Sequence, residues 1–300
     1  MKDSAVSLGG HESLQDGLLR VVDDLVDSAA QTDKEPSSDA QNHIHRLRTT
    51  IKRMRALLRL IRPVTGETFF RRENERLKYA AGCLSAARDK EVASTTLSEL
   101  PISGEAEKLA VEAALSGFEE SSSPGKDLEK KIKQVKEALL QTRHRFHRLD
   151  LTGAEREVIE SGLRTVYRQS RNRMKMALRE GDDEAFHRWR IRVKNLYYEL
   201  QFLQSIWPKR LGKMVSRLSK LQDKIGFDHD LAVVKAMLRK TPDTFGGRHS
   251  VDLLINRLDK KSRGLRRKVR PSGRKALAER PSRFVHRLSR RWSKRISPRS

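Results

Sequence analysis

A single cysteine, Cys83, occurs in 300 residues, so neither an intramolecular disulfide nor a cysteine-rich metal site can form. Aromatic residues are only 5% of the chain, which leaves few side chains to stack on bases or sugars. No run approaches the ~20 apolar residues of a membrane-spanning helix. The opening MKDSAVSLGGHESLQ has no apolar segment of the secretory kind, and a cytoplasmic protein is the expectation. Glycine-rich phosphate loops of the Walker or dinucleotide type are missing. Stretches that alternate apolar and β-branched with polar residues are nearly absent, which argues against a sheet.

What the chain has in excess is positive charge. Lys and Arg number 64 against 39 Asp and Glu, a formal net charge of +25. Such a balance implies a polyanionic partner. Residues 261–300 carry 16 Lys/Arg and one acid, Glu279, leaving a net +10 for residues 1–260. This tail also holds Leu277, Phe284, Val285, Leu288 and Trp292, enough to give a basic helix one apolar face.

Breakers cluster at 33–38, 63–66, 101–104, 121–125, 150–153, 181–183, 241–247 and 271–273. Between them the pattern predicts helices at roughly 8–30, 39–62, 67–100, 104–120, 126–149, 153–180, 183–207, 208–240, 248–270 and 274–297. Pro208 is placed to open one of them. The fold class is therefore all-α, built from bundle-length helices. Tyr167, Tyr198, Phe202 and Trp207 are expected in the core.

One helix is repeated. In 44–61, Ile44, Leu47, Ile51, Met54, Leu58 and Ile61 form a seam spaced 3, 4, 3, 4, 3. One residue on from each lies a second stripe: His45, Arg48, Lys52, Arg55, Arg59 and Arg62. A shift of 142 finds the seam again as Phe186, Trp189, Val193, Leu196, Leu200 and Leu203, flanked by His187, Arg190 and Lys194. A shift of 141 sets Leu77, Leu84, Asp89 and Val92 opposite Leu218, Ile225, Asp230 and Val233. The chain thus reads as a duplication, residues 1–150 and 151–300, each half with a His-led basic helix and then an Asp-containing turn.

Residues 46–62 hold seven Lys/Arg and no acid. Like charges at i, i+3 and i+4 repel by a few tenths of a kcal/mol per pair, so the row calls for an external anion. Arginine forks grip phosphate oxygens bidentately, lysine acts as a point charge, and a polyanion favours protonated histidine. Arg53, one further stripe round, joins this set. The first stripe has no base-reading aromatics or amides among its cations, which favours a ligand made only of phosphate.

The blocks HRLRTTIKRMR at 45–55 and HRWRIRVKNLYYE at 187–199 resemble the two signature helices of the CHAD family, the conserved histidine α-helical domain. Leu77 with Asp89, and LQDKIGFDHDL at 221–231, are similar to its other paired motif. YRQSR at 167–171 resembles its central helix, and ERPSRFVHRLSRRW at 279–292 its C-terminus. The resemblance implies two four-helix-type bundles related by a pseudo-two-fold axis. It also implies a basic central surface or pore that binds inorganic polyphosphate without catalysis and without metal or cofactor. By motif position it assigns this role to His45, Arg48, Lys52, Arg55, His187, Arg190 and Lys194. Arg53 and Arg59 follow from the helix face, and Lys78, Arg168, Arg171 and Lys220 are added to the set. Two departures weaken the second stripe: Ile191 stands where the family has a further basic residue, and Tyr197 stands opposite Arg55.

Two other readings stay open. One is a general nucleic-acid binder acting through the 261–300 tail. The other is a phasin-like scaffold on polyphosphate or storage granules. An Asp228-His229-Asp230 run also has the look of a metal phosphohydrolase, but that chemistry needs more converging ligands.

Overall fold

This computed structural model describes the backbone of residues 6–30, 40–120 and 126–296, and the side chains of all of these but 40, 86–90, 119–120, 126 and 295–296. The expected breaks at 33–38 and 121–125 fall largely outside these residues. Eleven α-helices follow in order among the described residues, with no strand. They are α1 (Leu14–Ala30), α2 (Ala40–Cys83), α3 (Ser85–Ser98), α4 (Glu105–Glu120) and α5 (Lys126–Phe146). After these come α6 (Glu155–Glu157), α7 (Arg164–Glu180), α8 (Asp183–Phe202), α9 (Pro208–Lys240), α10 (Gly247–Ala276) and α11 (Pro281–Ile296). A π-helical turn, Val158–Leu163, joins α6 to α7.

Local chemistry sets several of these ends. The Asp182 carboxylate accepts from the Ala185 N–H at 2.7 Å and caps α8. Pro208 opens α9, as its position predicts. The first helix starts at Leu14 rather than at 8, because residues 6–13 form a strap whose Leu8 N–H bonds the Phe202 carbonyl at 2.9 Å.

The long α2 is two arms. Gly66 has φ 79°, ψ 170°, outside helical space and at a positive φ that a side chain disfavours. In a straight helix Arg55 and Asn74 would lie ~28 Å apart. Their side chains bond at 3.1 Å, so the chain doubles back at Gly66 and the second arm lies along the first.

The expected break at 271–273 does not occur. Pro271 sits inside α10, which runs on to Ala276. A proline there loses one backbone bond, but burial holds the helix. Val269, Gly273 and Ala276 are all buried. A Cβ built on Gly273 would come within 2.7 Å of the Trp189 ring, so only glycine lets α10 ride directly on that indole.

Two cores result. The larger joins α1, α2, α5, α7, α8 and α11 with the first half of α9 and the second half of α10. The smaller joins α3, α4, the second half of α9 and the first half of α10. Every residue of both predicted seams is buried, from Ile44 to Ile61 and from Phe186 to Leu203. The basic tail contributes Leu277, Phe284, Val285, Leu288 and Trp292 to the larger core, and Phe284 stacks on Tyr167 of α7 at 5.1 Å.

Candidate functional site

The first arm of α2 carries the first predicted stripe. His45, at its start, is exposed and borders a cleft of about 360 Å³ between α2, α3 and α9, shared with Glu91, Thr95, Glu99 and Asp230. Arg48 Nη1 donates to the Leu84 carbonyl at 2.8 Å, across the junction of α2 and α3. Lys52 is half-buried. Further along, the returning arm supplies one amide oxygen to two guanidinium groups. Asn74 Oδ1 accepts from Arg55 Nε at 3.1 Å and from Arg59 Nη2 at 3.0 Å. Arg59 Nη1 donates to the Arg55 carbonyl at 2.5 Å. These hydrogen-bond partners are neutral, and Glu75 is the acid that acts on Arg55.

The second stripe lies on α8. Arg190 is buried, and His187 and Lys194 are half-buried. His187 Nδ1 lies 3.2 Å from His229 Nδ1 of α9. One ring nitrogen must donate and the other accept, so both imidazoles cannot be fully protonated while this contact holds. Burial lowers the His187 pKa, and Arg190 lowers it further; Glu184 opposes them only in part.

The two basic helices meet at two places. At one, the Arg53 guanidinium lies 5.8 Å from the Tyr198 ring centroid. Burial raises the Tyr198 pKa, against the pull of Arg53 and Arg190. At the other, Arg59 faces Arg192 and Glu199 of α8. Glu199 is fully buried, and neither of its oxygens has a hydrogen-bond partner among the described residues. Burial pushes its pKa well above the usual carboxylate range, although Arg59 and Arg192 oppose this. Burial also drives the Arg59 pKa down to about 10, with Arg55, Arg192 and Arg62 adding repulsion. Arg192 is lowered too, by burial first and then by Arg173 of α7 and Arg62. Arginines of two helices, Arg59 of α2 and Arg192 of α8, thus face one reluctant acid, and Arg173 of α7 lies close to Arg192.

The sequence pattern did not single out Arg192 or Glu199. At 100° per residue they lie on the flank of α8 opposite Arg190 and Lys194, roughly 140° or more away. The available signal was the repeat itself, since Glu199 stands where the first copy has buried Leu57.

Of the added residues, Arg168 and Arg171 border another cleft, and Lys78 pairs with Glu75, the acid that acts on Arg55. Arg168 and Arg171 line a cleft of about 290 Å³ between α7 and the start of α11, together with Arg164 and Lys175. Arg171 also donates to the Glu279 carbonyl at 3.2 Å. Lys78 is exposed and pairs with Glu75 at 3.2 Å. Lys220 is exposed on α9. The side chain of Asp89 is outside the described residues. Trp207 is half-buried rather than enclosed.

The Asp228-His229-Asp230 run points three ways. His229 meets His187, and Asp230 borders the His45 cleft. Asp228, almost fully buried, accepts from Arg266 Nε at 3.1 and 3.0 Å and from the Ser262 hydroxyl. Arg266 also pairs with Asp183 and lies over the Phe186 ring at 4.6 Å. Buried Lys235 bridges Asp183 at 2.8 Å and Asp259 at 2.7 Å. Burial raises the Asp228 pKa despite Ser262 and Arg266. For Asp183 burial acts upward too, but the bonds from Lys235 and Arg266 outweigh it and hold the carboxyl low. Among the described residues, no three His, Cys, Asp or Glu side chains are grouped to hold a metal ion.

No curated protein matches the chain. Among solved structures, the crystal structure of the CHAD domain from the plant Ricinus communis is similar, with a TM-score of 0.63 at 16% identity. The match covers 93% of this chain and 96% of that one, and at this identity it speaks for the fold. The CHAD domain family model matches residues 20–239. That match spans α2, α8 and α9, the helices that carry both histidine-led stripes and the crowded arginines, and the chain belongs to the CHAD domain family.

Proposed function

We propose that this chain binds inorganic polyphosphate, without catalysis, through the basic flanks of α2 and α8. The observation that carries the reading is the crowding of Arg59 and Arg192 at buried Glu199 with Arg55 beside Arg59, where Glu75 and Glu199 are fewer acids than the cations they face. Such a cluster is electrostatically unsatisfied until an anion arrives. Phosphate oxygens suit guanidinium forks, and a chain of them would meet successive cations along α2 at one helical turn per step. His45, Arg48, Lys52 and Arg53 continue the row along α2, while Arg190 and Lys194 add cations on the other flank of α8. In this reading the two His-led helices are copies in a pseudo-two-fold duplication, residues 1–150 and 151–300. Both cores nevertheless draw on both halves, so the copies are interlocked rather than separable. Among the described residues, no helix is long and apolar enough to cross a membrane.

The test is a titration of labelled polyphosphate against the full chain, competed by DNA, RNA and short phosphates at fixed salt. Binding should be tight, dependent on chain length and resistant to excess DNA. Replacing Arg48, Lys52, Arg190 and Lys194 together by Ala should weaken it strongly and flatten its salt dependence, since fewer counterions are released. Unchanged affinity in that variant would place the site elsewhere.

A further inference from the structure

A second basic surface lies apart from α2 and α8. Trp207 ends the short 3-10 turn before α9, and its half-exposed indole faces α11. Two guanidinium groups of α11 lie over the ring, Arg287 at 5.0 Å and Arg291 at 5.2 Å from its centroid. With Arg290 and Lys294 they enclose a cleft of about 280 Å³ whose lining is four cations and this one indole. Arg287 pairs with Glu279 at 3.0 Å. Among the described residues, no carboxylate pairs with Arg290, Arg291 or Lys294, and all three are exposed.

The helix itself is two-sided. Phe284, Val285, Leu288 and Trp292 fill the larger core. At 100° per residue, Arg283, Arg287, Arg290 and Lys294 fall within about 60° of one another on the opposite side, a cationic rail ~16 Å long with Trp207 at its edge.

Cations alone would attract any polyanion. The indole narrows the class, because a thread of pure phosphate has no π-face and gains nothing from a ring. A nucleobase gains both stacking on tryptophan and stacking on guanidinium planes. We infer that the Trp207–α11 cleft is a second binding site, for single-stranded nucleic acid, in which one base stacks on Trp207 and the α11 rail holds the flanking phosphates. Arg291, exposed and lying over the ring, swings aside to admit the base. Duplex competes poorly for such a site, since its bases are already stacked on each other.

Fluorescence reads this directly. Of the three tryptophans, Trp189 and Trp292 are buried at 0% and 4% exposure, so Trp207 is the one a base can reach. The full chain is titrated with oligo(dT) and, separately, with polyphosphate of equal phosphate count. Oligo(dT) should quench the emission and polyphosphate should leave it unchanged. Trp207→Leu should abolish the quench and weaken oligo(dT) binding about five- to a hundredfold, with polyphosphate affinity unaltered. The exposed pair Arg290→Ala and Lys294→Ala should weaken oligo(dT) binding while Trp207 stays in place. An unquenched titration overturns the inference. So does an equal loss of oligo(dT) and polyphosphate affinity in either variant, which would make the cleft a general anion sink. Because the polyphosphate arm runs on the same samples, failure of either site is seen without failure of the other.

Discussion

Two charged clusters of the same side-chain types lie within this fold, and they are built on opposite terms. In one, Lys235 and Arg266 meet Asp183, Asp228 and Asp259 at 2.7 to 3.1 Å, tying the start of α8 to α9 and α10. Each buried cation there has an acid, and the low Asp183 pKa records the match. In the other, Arg55 and Arg59 share an amide oxygen, Glu75 acts on Arg55, and Arg59 and Arg192 face one buried carboxyl group whose own pKa is driven upward. The first cluster is complete within the protein and holds helices together. The second has more cations than acids. The difference shows that arginines alone do not tell a structural ion-pair cluster from a surplus of charge, whereas the acids that face them do.

The matched cluster should give the largest effect. Arg266→Ala leaves Asp228 buried beside Ser262 without its cation, and urea denaturation should show a loss of about 3–5 kcal/mol. Polyphosphate affinity of the folded variant should stay near wild type. The unmatched cluster should behave in reverse. Arg55→Ala with Arg59→Ala should leave the melting temperature close to wild type or higher, because repulsion is relieved. Polyphosphate affinity should fall tenfold or more, and the salt slope should drop by about 0.7–0.9 for each phosphate no longer neutralised.

Glu199 sharpens the contrast. Its folded-state pKa is raised, so its ionisation works against the fold as pH climbs above the ordinary glutamate value. Glu199→Gln should therefore stabilise the protein by about 1–3 kcal/mol near neutral pH. The gain should vanish in acid, where wild-type Glu199 is already neutral, and paired melts at pH 4 and 7.5 would read it. The smallest effect belongs to His187. Its folded pKa is lowered, so its contribution is intact above the unfolded value of about 6.5 and is lost as pH falls below it. Melting temperature against pH should slope downward below that point in wild type and be flatter in His187→Asn. A polyphosphate chain that draws a proton onto this ring should conversely bind more tightly as pH falls.

Periodic features are legible in the sequence alone. Both apolar seams are buried at every position, and Pro208 opens its helix where a first-turn proline belongs. These features depend on spacing along one helix. What depends on a second helix is hidden. The break at Gly66 is visible, but not that Asn74 returns to serve Arg55 and Arg59. Pro271 reads as a stop because the pattern cannot show that Trp189 takes the backbone of Gly273 against its ring. His229 reads as one member of an acidic triplet, and only packing turns it toward His187. Of the thirteen residues expected at the site, those on the first arm of α2 and on α8 belong to the two flanks described above. Arg168 and Arg171 line a cleft between α7 and α11 instead, because helix membership says nothing about which side of the molecule a residue reaches.

The long α9 gives its first half to one core and its second half to the other. At 33 residues it is a beam about 50 Å long. Neither core can melt while the other stands without snapping that beam in the middle, between Ile225 in the larger core and Leu231 in the smaller. Heat should therefore take the whole molecule apart in one step, and a calorimeter should record a single peak from a chain that looks built from two parts.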